Sequence, residues 1–379
     1  MNHKTTFRRS RPMVLAVLLG TVTVANATDD KDWSFSGFLD TYYQYDSRKP
    51  SEPLLFGRQF DIYRDRGSIA VGQLNVAYKP SNSHAIGFVA NLTVGKNAEL
   101  INLGEPANRA YEAFHQLYAT YTFGGKTPIT VDLGKFSTPI GYEVAESINN
   151  DQHSRSFVYT FAQPIYHTGV RVSAPLTSKL TGTAIIAQGW NEVEDSGKNK
   201  AGILSVAYVA SSKTTIYCNY YLAEEGSKFA NDNGIFGGFG FTTDSRAKVC
   251  LFDASVVHQA TDKLKVGVNG TYGTANHASG ASFEDSKFYG VAGYAKYQLS
   301  PELGLSFRAD TFNDDGGVRS GTDGLSLSSF TAGADYTFKK NVVFRLEFRR
   351  DAANRAVFAD DGTGANNRST FTFAVAFKF

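Results

Sequence analysis

The final stretch STFTFAVAFKF (369–379) sets Phe371, Phe373, Val375, Phe377 and Phe379 two apart, with Thr370, Thr372, Ala374, Ala376 and Lys378 between them. Side chains alternate across a strand, so this spacing makes one face wholly apolar and mostly aromatic while the other stays small or polar. Such a face needs either a protein core or a hydrocarbon solvent, and the rest of the chain has to decide between them.

Composition narrows the choice. The 379 residues are 42% hydrophobic, 13% aromatic and 20% charged, with 36 Gly, 29 Phe and 20 Tyr but only 2 Met and 2 Trp, a balance that favours strands and turns over helices. A formal charge of +2 gives no reason to invoke nucleic acid. The beginning of the chain reads as a leader: MNHKTTFRRSRP is basic, MVLAVLLGTVTV is apolar, and ANA precedes Thr28, which predicts a signal peptide over residues 1–27 and a mature domain over 28–379. The apolar run is shorter than the ~20 residues of a membrane-spanning helix. A bacterial-type secreted chain of this kind is periplasmic, released, or embedded in the outer membrane as a closed sheet.

The spacing of turns favours the last. KPSNS, GGKT, APLTSK, ASSK, QATDK, LSPE and FKKN read as tight turns, and longer connections alternate with them: 47–67, 96–113, 138–164, 191–200, 223–245, 275–286, 313–324 and 351–368. Seven short turns and eight long loops join sixteen strands of ~10 to 13 residues, the length of a tilted membrane crossing rather than of a soluble strand. Loops sorted by length to the two ends are what an up-and-down transmembrane barrel shows, with short periplasmic turns and long extracellular loops.

Within the strands, charge keeps to one face. Leu303, Leu305, Phe307 and Ala309 oppose Ser306, Arg308 and Asp310; Val342, Phe344, Leu346 and Phe348 oppose Arg345, Glu347 and Arg349; Phe330, Ala332, Ala334, Tyr336 and Phe338 oppose Thr331, Gly333, Asp335 and Thr337. Tyr78, Tyr208, Tyr297, Tyr336 and Phe338 fall on the apolar face close to the short turns, where an interfacial ring of aromatics belongs, and Phe379 joins them. A terminal aromatic also matches the usual assembly signal of outer-membrane barrels.

The segments GKFSTPIGYEVAESINN (134–150), YTFAQPIYHTGVRV (159–172) and IIAQGWNE (185–192) resemble the beta-barrel porin family 2, the OmpL-like outer-membrane porins of Gram-negative bacteria. FYGVAGYAKYQLSPELGLSFRADTFNDDGG (288–317) and RLEFRRD (345–351) look like that family's later hairpins. The resemblance runs from about Ser34 to Phe379 and is most specific over 134–169. It implies a channel in the outer membrane and leaves the solute open.

By analogy with trimeric porins, whose third external loop narrows the lumen, the long loop 138–164 is expected to carry Glu143, Glu146 and Asp151 inward. They would face Arg308, Arg345 and Arg349, together with Asp310 and Glu347, on strands across the cylinder. An acidic loop opposite a basic wall would set up a transverse field at a constriction; equally, these groups could simply pair with one another. Cys218 and Cys250 lie at mirrored distances from an intervening loop, which would place them nearly opposite, so a disulfide and two small apolar fillers both remain open. NDDGG (313–317) and ADDGTG (359–364) read as turns rather than calcium loops, the histidines have no metal spacing, and GxSxG is absent, so neither a metal, a cofactor nor an enzyme is expected.

The reading is therefore an all-β transmembrane barrel of about sixteen strands. It would pass small hydrophilic solutes or ions passively, in contact with outer-membrane lipid, and a homotrimer is compatible with its apolar outer face. A solute-specific channel or receptor, and a structural or adhesive barrel, are the alternatives.

Overall fold

A strand with one lipid-facing side cannot leave its edge hydrogen bonds unpaired in hydrocarbon, so the sheet has to close on itself. The computed structural model describes residues 32–48, 54–80, 86–102, 113–125, 127–194, 200–225, 247–277, 285–360 and 362–379. In it sixteen antiparallel strands form a closed barrel. They are β1 (Trp33–Asp46), β2 (Arg66–Tyr78), β3 (Ile86–Val94), β4 (Phe114–Phe123), β5 (Ile129–Ser137), β6 (Tyr166–Pro175), β7 (Leu180–Ala187) and β8 (Ala201–Ser211). The second half comprises β9 (Thr214–Glu225), β10 (Ala247–Gln259), β11 (Leu264–His277), β12 (Ser286–Gln298), β13 (Leu303–Asp315), β14 (Leu325–Phe338), β15 (Val342–Ala353) and β18 (Asn367–Lys378). A small hairpin, β16 (Phe358–Asp360) and β17 (Thr363–Ala365), stands in the loop before β18. The predicted leader and the glycine-rich NDNGIFGGFGF stretch lie outside the described residues.

Every barrel strand pairs with its sequence neighbours, and β18 closes the cylinder on β1. The closing seam ends at Gly37 and Phe379, whose backbone N–H and C=O groups exchange two hydrogen bonds of 3.1 and 3.0 Å. The Phe379 ring lies over Gly37 so closely that a Cβ there would sit 2.6 Å from it, which is why this outward position is a glycine. The connections after the odd-numbered strands β1 to β15 are the long ones, here L1 to L8, and those after the even-numbered strands are short, as the turn pattern predicts.

The faces also follow the predicted alternation. Phe307, Phe330, Tyr336, Phe344, Leu346, Phe371, Phe373, Phe377 and Phe379 are exposed on the outside, while Arg308, Asp310, Arg345, Glu347 and Arg349 are buried inside. Tyr208, Tyr297, Tyr336 and Phe338 form part of an outward aromatic ring at the short-turn end. The expectation for the cysteines needs correcting. Cys218 stands opposite Ala254 and Cys250 opposite Leu222, so the two are four residues out of line along β9 and β10, about 13 Å, too far for a disulfide. Both are free thiols.

The interior is not uniformly polar. Phe157, Phe161, Ile185, Trp190, Ile203, Tyr221, Phe288 and Phe312 belong to a buried apolar cluster inside the extracellular half of the barrel. A second cluster joins Phe60 and Ile62 of L1, Leu100 and Ile101 of the short helix α1 (Lys96–Ile101) in L2, and Tyr159 and Ile165 of L3. Loop side chains pack inside the barrel at this level.

Candidate functional site

The inward charges follow from strand parity: Arg308 and Asp310 alternate on β13, and Arg345, Glu347, Arg349 and Asp351 on β15. Strand register then adds partners. Arg345 lies opposite Asp335 of β14 and donates to it at 2.7 Å, and Lys296 of β12 donates to the other oxygen of the same carboxylate.

L3 (138–165) enters the lumen from β5. It turns at Gly141, which has φ +96° and sits against the Gln163 amide so tightly that a Cβ would come within 2.0 Å, so only glycine fits. The Gly141 N–H reaches Asp253 of β10 at 2.9 Å, and Tyr142 stacks on Tyr294 of β12 with ring centres 4.0 Å apart. The loop then crosses the barrel. The Ser147 hydroxyl donates to Asp40 of β1, and its carbonyl accepts from Arg345 at 3.1 Å. Low in the cylinder Asp151 pairs at 2.8 Å with Lys265, near the start of β11, and Asn149 is exposed. The chain climbs back through a short helix, α2 (Phe157–Ala162), whose Phe157 N–H donates to Asp310 at 2.9 Å. The α2 rings are seated in the first apolar cluster, Phe161 stacked on Phe312 at 5.2 Å.

The eight predicted charges thus all face the lumen, but they do not form one group. Arg308 donates to Glu143 at 3.0 Å and to Asp310 at 3.2 Å. Glu347 accepts the backbone N–H groups of His153 (2.8 Å) and Ser154 (3.2 Å). Arg349 pairs with Asp351 at 2.6 Å and also donates to the Arg155 carbonyl. Acidic loop and basic wall meet in direct contact here. Glu146 points elsewhere, to His115 of β4 at 3.0 Å and Gln73 of β2 at 3.4 Å. Burial acts to raise the Glu146 pKa, and the adjacent His115 imidazole overcomes it, holding the carboxyl down to about 2.

Three features escaped the sequence reading. One is L1, whose residues 54–63 fold inward as a finger closed by the Leu54–Tyr63 bridge, carrying Arg58 to Asp351 and Thr370. The signal was present as an apolar run, LLFGRQFDIY (54–63), within a loop. The second is the apolar inner face, visible as lost alternation in KFYGVAGY (287–294). The third is Arg319 of L7, buried over the Trp190 ring at 4.6 Å and donating to the Phe161 carbonyl at the end of α2. Burial brings its pKa down to about 10. Among the described residues no cluster of three or more His, Cys, Asp or Glu has metal-binding geometry. Asp314 in the NDDGG segment instead accepts the Arg319 and Ser320 N–H groups at 3.0 and 2.6 Å, capping a turn.

A family model described as "Putative beta-barrel porin-2, OmpL-like" matches residues 32–379. No curated protein matches the chain. Among solved structures, OmpT of Vibrio cholerae in its trimer form is similar at 11% identity and a TM-score of 0.59, over 92% of this chain and 99% of that one. An anion-selective porin from Comamonas acidovorans is similar at 11% identity and a TM-score of 0.57, again over 92% and 99%. These likenesses concern the fold.

Proposed function

The chain belongs to the OmpL-like beta-barrel porin-2 family and is an outer-membrane porin, and from that premise we propose that it passes small hydrophilic solutes or ions by passive diffusion along a narrow path beside L3. The observation that carries this reading is the division of faces. Apolar and aromatic side chains look outward, while charge after charge on β13 to β15 looks into the lumen and meets a loop there. A closed cylinder with a charged interior suits an ion and solute pathway.

Residues 1–27 act as a signal peptide removed on export, and the mature barrel works without cofactor or catalysis. Three copies assemble in the membrane; the support is the trimeric form named for the Vibrio OmpT structure. Glu143, Glu146, Asp151, Arg308, Asp310, Arg345, Glu347 and Arg349 set the constriction, either by lining it or by fixing the loop that does.

Recording single channels of the refolded protein tests the reading: a passive pore gives conductance proportional to salt and no saturation by any solute. Replacing Arg308 and Arg345 together by glutamine removes two positive charges from the wall, and the reversal potential in a salt gradient should move toward cation preference. An unmoved potential removes both from the selectivity-determining set.

A solute-specific channel is the second reading, favoured by the apolar clusters that fill the extracellular half of the barrel. Block of the current by one solute class at low concentration would select it.

A further inference from the structure

We propose that the L1 finger, residues 54–63, is a withdrawable stopper of the lumen, whereas L3 is a fixed part of the wall; the idea rests on the porin reading and adds to it what opens the path. The contrast lies in what each loop would leave behind.

At the finger's tip Arg58 carries its own counter-ion, Asp61, three residues on and 2.6 Å away. Its second guanidinium nitrogen reaches the wall at Asp351, at 3.3 Å, and at Thr370, at 2.7 Å. Asp351 does not depend on that visitor, because Arg349 holds it at 2.6 Å and Arg368 at 2.8 Å. Withdrawal would therefore part the structure between two self-sufficient ion groups, Arg58 with Asp61 on the finger and Asp351 with two arginines on the wall. Neither side is left with a bare buried charge, which is the usual obstacle to breaking a buried ion pair. Arg58 Nε, Gln59 Oε1 and Asp61 Oδ1, all buried at the tip, find no hydrogen-bond partner among the described residues, and each would gain one on reaching water. What holds the finger besides is the packing of Phe60 and Ile62 against Leu100, Ile101 and Tyr159, together with hydrogen bonds to its neutral carbonyls, from Gln44 to Asp61 at 2.9 Å and from Arg368 to Phe56 at 2.9 Å, which water can replace on withdrawal.

L3 has no such parting line. Glu347 spends its carboxylate on the L3 N–H groups of His153 and Ser154, and Arg308 reaches both Glu143 and the Ser154 carbonyl, at 2.7 Å. Lifting L3 would strand Glu347 in the barrel interior.

The test compares unitary conductance and open time in planar bilayers for the unaltered protein and two variants, each first shown to be a folded barrel by its heat-modifiable migration. One replaces residues 55–62 by a two-glycine turn; the other, Phe60→Ser, weakens the apolar hold while keeping the finger. The shortened finger should raise unitary conductance about two-fold or more, since it clears cross-section from the pathway, and Phe60→Ser should lengthen open times at unchanged maximal conductance. Equal currents in all three would overturn the stopper and leave the porin reading standing. Silence in all three would overturn both. Should the shortened chain fail to fold, unaltered gating in Phe60→Ser refutes the proposal by itself.

Discussion

Arg308 of β13 and Glu143 of L3 meet at 3.0 Å in the middle of the barrel, with both side chains removed from solvent. The pair is 165 residues apart in sequence and joins the loop to the far wall from the strand it leaves. Removing one partner of a buried pair leaves the other charge uncompensated, so Arg308→Ala should cost about 3–5 kcal/mol of barrel stability, read as a lowered midpoint in urea unfolding of the refolded protein. Glu143→Gln, which keeps an acceptor for Arg308, should cost clearly less. Equal losses for the two would mean that charge compensation is not what the pair contributes.

Glu146 supplies a pH dependence with a definite sign. Its carboxyl has an ordinary value of 4.5 and is held down to about 2 in the fold, so its contribution is complete above 4.5 and fades as pH falls through about 2. Thermal unfolding followed between pH 5 and pH 2, as approximate limits around that window, should lose stability progressively, and Glu146→Gln should flatten that part of the profile. A profile identical in variant and parent would place the acid sensitivity on other carboxyls.

Phe161 packs in the apolar cluster within the barrel, against Phe312 and Phe56. Truncation to alanine removes a fully buried ring and should destabilise by about 3–5 kcal/mol. Because the ring belongs to α2 rather than to the wall, the open-channel current should also become noisier while the cylinder stays folded. Quiet current in a folded Phe161→Ala barrel would show that α2 keeps its seat without the ring.

The two cysteines should each take up a membrane-permeant maleimide without prior reduction, because they are unpaired and lie out of line on neighbouring strands. Mass spectrometry of the labelled chain, with and without reductant, should give the same two-adduct mass. Labelling that requires a reductant would contradict the strand register of β9 and β10.

The barrel wall could be read from the residues because it rests on a local rule. In β15 the alternation of Phe344, Leu346 and Phe348 with Arg345, Glu347 and Arg349 assigns each side chain a face as soon as the solvent on each side is known. The turns, two to seven residues long by pattern, carry their own chemistry in Gly, Pro, Ser and Asp. The site was harder to see. That Glu143 and Asp151 turn inward could be anticipated by analogy, but not that Glu143 would meet Arg308 while Glu146, three residues later, would turn to His115 on the opposite wall. The expected near-opposite placement of the cysteines failed for a related reason: equal distances from a loop do not specify register once strands start and stop at different heights.

Sequence alone determined the sixteen crossings, the sorting of loops to two ends, and which side of each strand faces hydrocarbon, because a period of two and the cost of unpaired backbone in lipid act residue by residue. Only the tertiary structure decided what occupies the cylinder. L1, L3 and α2 converge there from separate points of the chain, and whether Phe60, Phe161 or Arg58 fits the interior depends on side chains contributed by strands hundreds of residues away. Packing of that kind is a property of the closed surface, which exists only after β18 has met β1.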